Sequence, residues 1–153
     1  MISRIVNPKE FFQCIDDLEV LFRNDDQNSG HFFLRHDKES IKSGFGNSVI
    51  LHWDVFVWAN KNDNGKYDAA IIFVNEKSLK FNCRIFAEFL WLSKNHKCGL
   101  KLLKAALDFA KQNKFSVVSM NTVVQNPSFE KLKRLYGRLG FVKDSESYLL
   151  SYE

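Results

Sequence analysis

A chain of 153 residues with 45% apolar and 26% charged residues, including 15 Phe and 3 Trp, is long enough for one domain with one sizeable core. Its longest apolar runs, such as residues 85–92, are too short to cross a bilayer and carry Glu88. MISRIVNPKEFF has no apolar run ending in a small-residue cleavage site, so a cytoplasmic protein is expected. The net charge is only +4, but residues 94–138 hold ten Lys or Arg against two acids, which leaves the remainder acidic.

In chain order, residues 2–6 alternate as a short strand. Asn7 is an N-cap candidate with Pro8 at the first helical position, and Phe11, Phe12, Ile15, Leu18 and Leu21 follow at helical spacing. Residues 24–30 (NDDQNSG) form a loop. Residues 31–47 read ambiguously: 31–34 can be extended, and 37–43 can be a short second helix. Residues 48–59 are apolar on both faces, as a covered central strand should be. On that strand Trp53 and Trp58 point to opposite faces, and Asp54 either receives a cationic substrate or satisfies a buried partner. NDNG at 62–65 is a turn signal, followed by a strand over 67–75, a turn over 76–80 and a strand over 82–92.

The second half opens with a short basic loop and then a helix. Leu100, Leu103, Ala106, Leu107 and Ala110 make its apolar face, and Lys101, Lys104, Asp108 and Lys111 its wet face. The first N–H groups of this helix lack intrahelical partners and lie at the positive end of the dipole, which suits a phosphate or pyrophosphate. Lys94, Lys97 and Lys101 add cationic charge there. Residues 115–124 read as a strand and 129–139 as a helix ended by Gly140. Residues 141–143 and 148–152 read as a closing strand pair. The order describes a mixed α/β sheet, antiparallel in its first half, with a crossover helix in its second.

This order, the strand–loop–helix of residues 85–112 and KRLYGRLGF at 133–141 resemble a GCN5-related N-acetyltransferase (GNAT). The resemblance implies an α/β GNAT-like acyltransferase domain over residues 1–153, with a mixed, mostly antiparallel central sheet flanked by helices. It implies acetyl-CoA as co-substrate, held where the fourth strand splays from the fifth, and a primary amine of a small molecule or protein as acceptor. The family's pyrophosphate loop, R/Q-x-x-G-x-G/A, is degenerate here. Counting back from Gly99 sets Lys94 at the basic position and Lys97 where the first glycine belongs. Alternatively His96–Lys97 takes the basic position and Cys98–Gly99 begins the loop. Cofactor contacts are thus expected from Lys94, His96, Lys97, Cys98, Gly99, Leu100 and Lys101. Backbone groups of Leu90, Trp91 and Leu92 are expected to polarise the thioester carbonyl. Asn126 lies near the family's pantetheine-binding Asn. Tyr136 sits where the family's thiolate-protonating tyrosine stands, followed correctly by Gly140–Phe141; the alternative is a packing aromatic.

Glu88 alternates with Phe86, Leu90 and Leu92 on one face of an apolar strand. Burying a carboxylate there is costly unless it is paired or protonated. The functional reading is a general base acting on a substrate ammonium; the alternative is an ion pair with Arg84 or a cross-strand Lys. Cys98 could carry a covalent acyl group if the helix start and nearby Lys lower its pKa, but it falls at the pyrophosphate position. Cys14, Cys83 and Cys98 lack C-x-x-C spacing and read as reduced thiols. His31, His36, Asp37 and His52 match no metal-ligand spacing, so no metal is expected. No RNP-like or helix-turn-helix pattern supports nucleic-acid binding. A homodimer is left open. The competing function is a catalytically inactive module of the same fold.

Overall fold

The computed structural model describes residues 1–23, 37–51, 54–78, 82–122, 128–144, 148, 150 and 152. Their strands are β1 (Ile2–Ile5), β2 (Val55–Lys61), β3 (Tyr67–Ser78), β4 (Cys83–Ser93) and β5 (Val117–Ser119). Their helices are α1 (Pro8–Phe22), α2 (Lys38–Leu51), α3 (His96–Gln112) and α4 (Phe129–Arg138). The strands form one sheet in the order β1-β2-β3-β4-β5, antiparallel except for the parallel β4–β5 pair. This is the expected mixed, mostly antiparallel sheet. Contacts divide the chain into two compact units, Met1–Asn121 and Thr122–Glu153, and the whole sheet lies in the first. Among the described residues no helix is long and apolar enough to cross a membrane.

Local chemistry explains the elements of the first unit. Asn7 caps α1, its Oδ1 accepting from the Lys9 N–H at 2.8 Å, and Pro8 follows at the first helical turn, where its missing N–H is harmless. Phe11, Cys14, Ile15, Leu18 and Phe22 form the buried stripe. In the β2–β3 turn, the Asn62 side chain accepts from the N–H groups of Asn64 and Lys66, and Gly65 takes φ +74°. α2 lies close on α1: a Cβ at Gly46 would come within 2.8 Å of the Phe12 ring. Lys38 and Lys42 bind Glu19 and Asp16 of α1 at 2.9 and 2.6 Å. α3 ends with Lys114 at φ +57°, and the Phe115 N–H returns to the Ala110 carbonyl at 3.0 Å.

The sheet is covered on both faces. Val55, Val57, Ala59, Ala70, Ile72, Leu90 and Leu92 join the stripe of α1 in one cluster. Phe56, Trp58, Ile71, Phe73 and Phe86 join Leu102, Leu103, Ala106 and Ala110 of α3 in the other. Phe86 is the hub of that second layer. Its ring stacks on Phe73 at 4.2 Å and meets Phe115 at 4.9 Å and Phe56 at 5.5 Å. The Arg4 guanidinium closes the layer at the β1 edge, 4.5 Å from the Phe109 ring centroid.

Several expectations need correction. Residues 48–51 continue α2 and are not strand; an apolar run of this length suits either state, and the helix begun at Lys38 carries it. β2 starts only at Val55, so Asp54 is exposed ahead of it, its carbonyl accepting from the Asn75 N–H at 2.8 Å. Of the expected strand over 115–124, the described residues pair at Val117–Ser119, and 123 and 124 lie outside the described residues. On α3, Leu100 is 46% exposed and Leu102 is in the core. In the second unit, Phe141–Lys143 form no strand, and neither do Tyr148, Leu150 and Tyr152. Alternating apolar residues supply a face, but a ladder needs a partner strand, and no described residue of this unit is in one. The readings of 24–30, 31–34, Trp53 and the histidines at 31, 36 and 52 fall outside the described residues.

The aromatic layer yields a stability prediction. Phe86→Ala should lower unfolding stability by about 3–5 kcal/mol in denaturant titration. Phe86→Leu, which leaves less empty volume, should cost clearly less. Equal losses would show that Phe86 is not the packing hub.

Candidate active site

The site begins with an irregularity in β4. Antiparallel pairing with β3 runs from Ser78 opposite Cys83 to Phe73 opposite Glu88, then resumes with Ile72 opposite Leu90. Phe89 is therefore an extra residue, a β-bulge that reverses the sidedness of everything after it. Phe86 packs in the cluster of α3, whereas Leu90 and Leu92 pack in the cluster of α1. Phe89 packs beside that second pair, its ring edge-on to Phe45 at 4.7 Å. The expected single face of Phe86, Glu88, Leu90 and Leu92 is thus wrong. Glu88 shares the Phe86 face and closes the regular part of the strand.

The other edge of β4 changes at the same place. Parallel pairing with β5 covers Ile85–Val117, Phe86–Val118 and Ala87–Ser119 and then stops. Beyond it, Asn121 reaches back to Glu88. Its main-chain N–H donates to Glu88 Oε2 at 3.3 Å, and its side-chain Nδ2 donates to the Glu88 carbonyl at 3.3 Å. From Leu90 to Ser93, β4 keeps β3 as a neighbour, and no described strand of the unit flanks its other edge.

The Glu88 carboxyl is pushed up to about 7 by burial, with the Asn121 hydrogen bonds pulling weakly the other way. No described cation pairs with it. Arg84, the ion-pair alternative, instead stands over the Phe115 ring at 4.2 Å. Near neutrality such a carboxyl exchanges a proton readily, as a base must.

The start of α3 departs from the expected anion cradle. The loop is shorter than anticipated: His96, Lys97, Cys98 and Gly99 are already helical. Asn95 is the N-cap, and its Oδ1 accepts from the N–H groups of Lys97 at 3.0 Å and Cys98 at 3.2 Å. Its own N–H donates to Ser93 Oγ at 3.2 Å, and the Gly99 N–H is in the helix ladder, bonded to the Asn95 carbonyl. Of the amides expected to be open, only that of His96 is left without such a partner among the described residues. Gly99 serves packing: a Cβ there would stand 3.3 Å from Ser93 Cβ and 3.5 Å from the Trp91 indole nitrogen. That Trp91 nitrogen is buried and makes no hydrogen bond among the described residues.

The remaining expected contacts are scattered around this helix start. His96, Lys97, Leu100 and Lys101 are exposed, and the Lys94 ammonium stands over the Phe22 ring of α1 at 5.4 Å. The Cys98 thiol is pushed up, chiefly by burial and then by Asp68, against weaker opposing effects that include Lys101. The expectation that the helix start lowers its pKa therefore fails, and with it the activated-nucleophile reading. All three cysteines are free.

In the second unit, Tyr136 stands in the last turn of α4. The turn closes as expected, with Gly140 at φ +89° and the Phe141 N–H donating to the Tyr136 carbonyl at 2.9 Å. The Tyr136 and Phe141 rings pack at 5.6 Å. Asn126 lies outside the described residues. Among the described residues no group of three or more His, Cys, Asp or Glu could hold a metal ion. Two residues the sequence reading passed over, Asn95 and Asn121, turn out to organise the site. Asn95 had a legible signal, an N-cap residue just before a periodic helix. Asn121 had none, because its partner is 33 positions away.

No family model matches the chain, and no curated protein matches it in sequence. Solved structures match it over nearly their whole length. A probable acetyltransferase superposes with TM-score 0.69 at 15% identity, covering 100% of this chain and 98% of that one. The ribosomal-protein-alanine N-acetyltransferase from Brucella melitensis biovar Abortus 2308 gives TM-score 0.66 at 12% identity, with 99% of each chain covered. An aminoglycoside acetyltransferase from an uncultured soil metagenomic sample gives 0.65 at 13%, covering 100% and 95%. At such identities the likeness concerns architecture, and on that ground the chain has the fold of the GCN5-related N-acetyltransferases.

Proposed function

We propose that this protein is an N-acetyltransferase that moves an acetyl group from acetyl-CoA to a primary amine of a small molecule or protein. The observation that carries the reading is Glu88. A carboxyl pushed up to about 7 stands just past the last described β4–β5 pair, on a strand whose next residues have a described partner strand on the β3 side alone. The fold's likeness to acetyltransferases supports it.

In this reading the thioester lies along the open edge at Leu90, Trp91 and Leu92, where a main-chain N–H polarises its carbonyl. Glu88, directly or through one water, takes a proton from the substrate ammonium. The neutral amine attacks the carbonyl carbon, the C–N bond forms, the C–S bond breaks, and the nitrogen's remaining excess proton replaces the one that the general acid gives up. Tyr136 is assigned the proton returned to the departing thiolate, on the strength of the LYGRLGF resemblance. Lys94, Lys97 and Lys101 supply positive charge for the phosphates.

One specific observation favours the second reading, a module of the same fold without activity. The Asn95 carboxamide already holds two of the amides that a pyrophosphate would use. Displacing an Asn N-cap costs roughly 1 kcal/mol, about fivefold in affinity. That weakens donor binding without abolishing it, so the enzyme reading stands.

Two predictions follow from these roles. Wild-type kcat should rise with pH through about 7, as Glu88 loses its proton, and Glu88→Gln should abolish that limb and most of the rate. Tyr136→Phe should lower kcat with the donor KM unchanged; a pH–rate profile unaltered by Glu88→Gln would remove Glu88 from the chemistry. The raised carboxyl also destabilises the fold as pH climbs from its unfolded value near 4.5 to about 7, since the native state holds the proton longer. Glu88→Gln should therefore gain stability relative to wild type above pH 7, by about 3 kcal/mol at most. Separately, calorimetric titration should show Asn95→Gly binding acetyl-CoA roughly fivefold tighter and Asn95→Asp binding it more weakly. Equal affinities in all three would show that the α3 start does not hold the donor.

A further inference from the structure

We propose that Asn121 is a positioning residue that holds Glu88 at both ends, main chain and carboxylate, just past the last described β4–β5 pair. The inference rests on the reading of Glu88 as the base and assigns a role to a residue outside the sheet ladder.

The geometry is unusual for a strand end. Asn121 lies two residues beyond the last β5 pair, Ala87–Ser119. A continuing ladder would satisfy the Glu88 carbonyl with a main-chain N–H. Here the Asn121 side-chain amide does so at 3.3 Å, so the carbonyl stays bonded past the last described β4–β5 pair. The main-chain N–H of the same residue is thereby brought to Glu88 Oε2, also at 3.3 Å. Main chain and side chain of Asn121 both act on the Glu88 carboxyl, opposing the effect of burial.

Both bonds are long for N–H donors to oxygen, so they orient the carboxylate more than they stabilise its charge. The surroundings within the unit add no competing charge. Val117–Asn121 carry none, and the β3 residue opposite Glu88 is Phe73. α3 brings Leu102, Leu103, Ala106 and Ala110 to this layer, and its Lys101, Lys104, Asp108 and Lys111 are exposed. Arg84, the charged neighbour on β4 itself, is engaged by Phe115. Asn121 is thus the one described group in this unit that hydrogen-bonds the carboxylate.

The test is a carbon-13 NMR titration of the Glu88 side-chain carboxyl in the free protein, wild type against Asn121→Ala. Wild type should titrate near 7, and the variant roughly half a unit to one unit higher, because the untethered N–H no longer stays on Oε2. With acetyl-CoA and a polyamine as acceptor, the variant should lose about tenfold in kcat near pH 7, with donor KM within twofold. Should Asn121→Ala fail to fold, Asn121→Gln is read the same way, since its longer amide misses the Glu88 carbonyl. A folded variant whose Glu88 titrates as in wild type overturns the inference, even if acetyl transfer depends on Glu88. A shifted titration in a protein that transfers no acetyl group retains the positioning of Glu88 and defeats the enzyme reading instead.

Discussion

A parallel ladder satisfies main-chain groups only as far as both strands run side by side, and between β4 and β5 that ends after three pairs. Most of what makes the first unit interesting depends on that ending. Beyond those pairs no described strand pairs with this edge of β4, and unpaired main-chain groups inside a covered sheet are costly unless something satisfies them. The bulge at Phe89 sits at the same level and turns the residues beyond it over. Leu90 and Leu92 are thereby committed to the α1 core, while Glu88 stays on the α3 side.

Two asparagines manage the consequences. Asn121 replaces a ladder hydrogen bond with a side-chain one just past the last described β4–β5 pair. Asn95 does the equivalent at the start of α3, holding amides that the helix cannot satisfy itself. Each meets a main-chain need of the fold itself. In the proposed reading the two act in opposite senses: Asn121 would steady the candidate base, and Asn95 would compete with the donor's phosphates for two amides of the α3 start.

The fold was largely legible, and the reasons are local. Asn7–Pro8, the NDNG turn and Gly140 are chemistries that dictate backbone conformation within a few residues, and each forms as read. The apolar period of α3 was clear, although Leu100 was assigned to its buried face where Leu102 belongs. Failures came where local pattern is ambiguous or where partners are distant. Residues 48–51 could continue a helix or begin a strand, and the turns already made from Lys38 decided it. The bulge at Phe89 is invisible in an alternating apolar strand, because it is set by pairing with β3. That is why Glu88 was found as a candidate base but placed with the wrong neighbours. The rise of the Cys98 pKa likewise follows from burial and from Asp68, neither of which helix position alone reveals.

The central claim is that the edge of β4 beyond Ala87 receives an acyl-CoA thioester. The most direct measurement is the change in backbone amide NMR shifts on adding acetyl-CoA to the wild-type protein. Saturable shifts should concentrate at residues 88–93 and 117–121, with the Lys97 and Cys98 amides moving as the Asn95 carboxamide is displaced. No saturable change at millimolar acetyl-CoA, or changes confined to other parts of the chain, would contradict it.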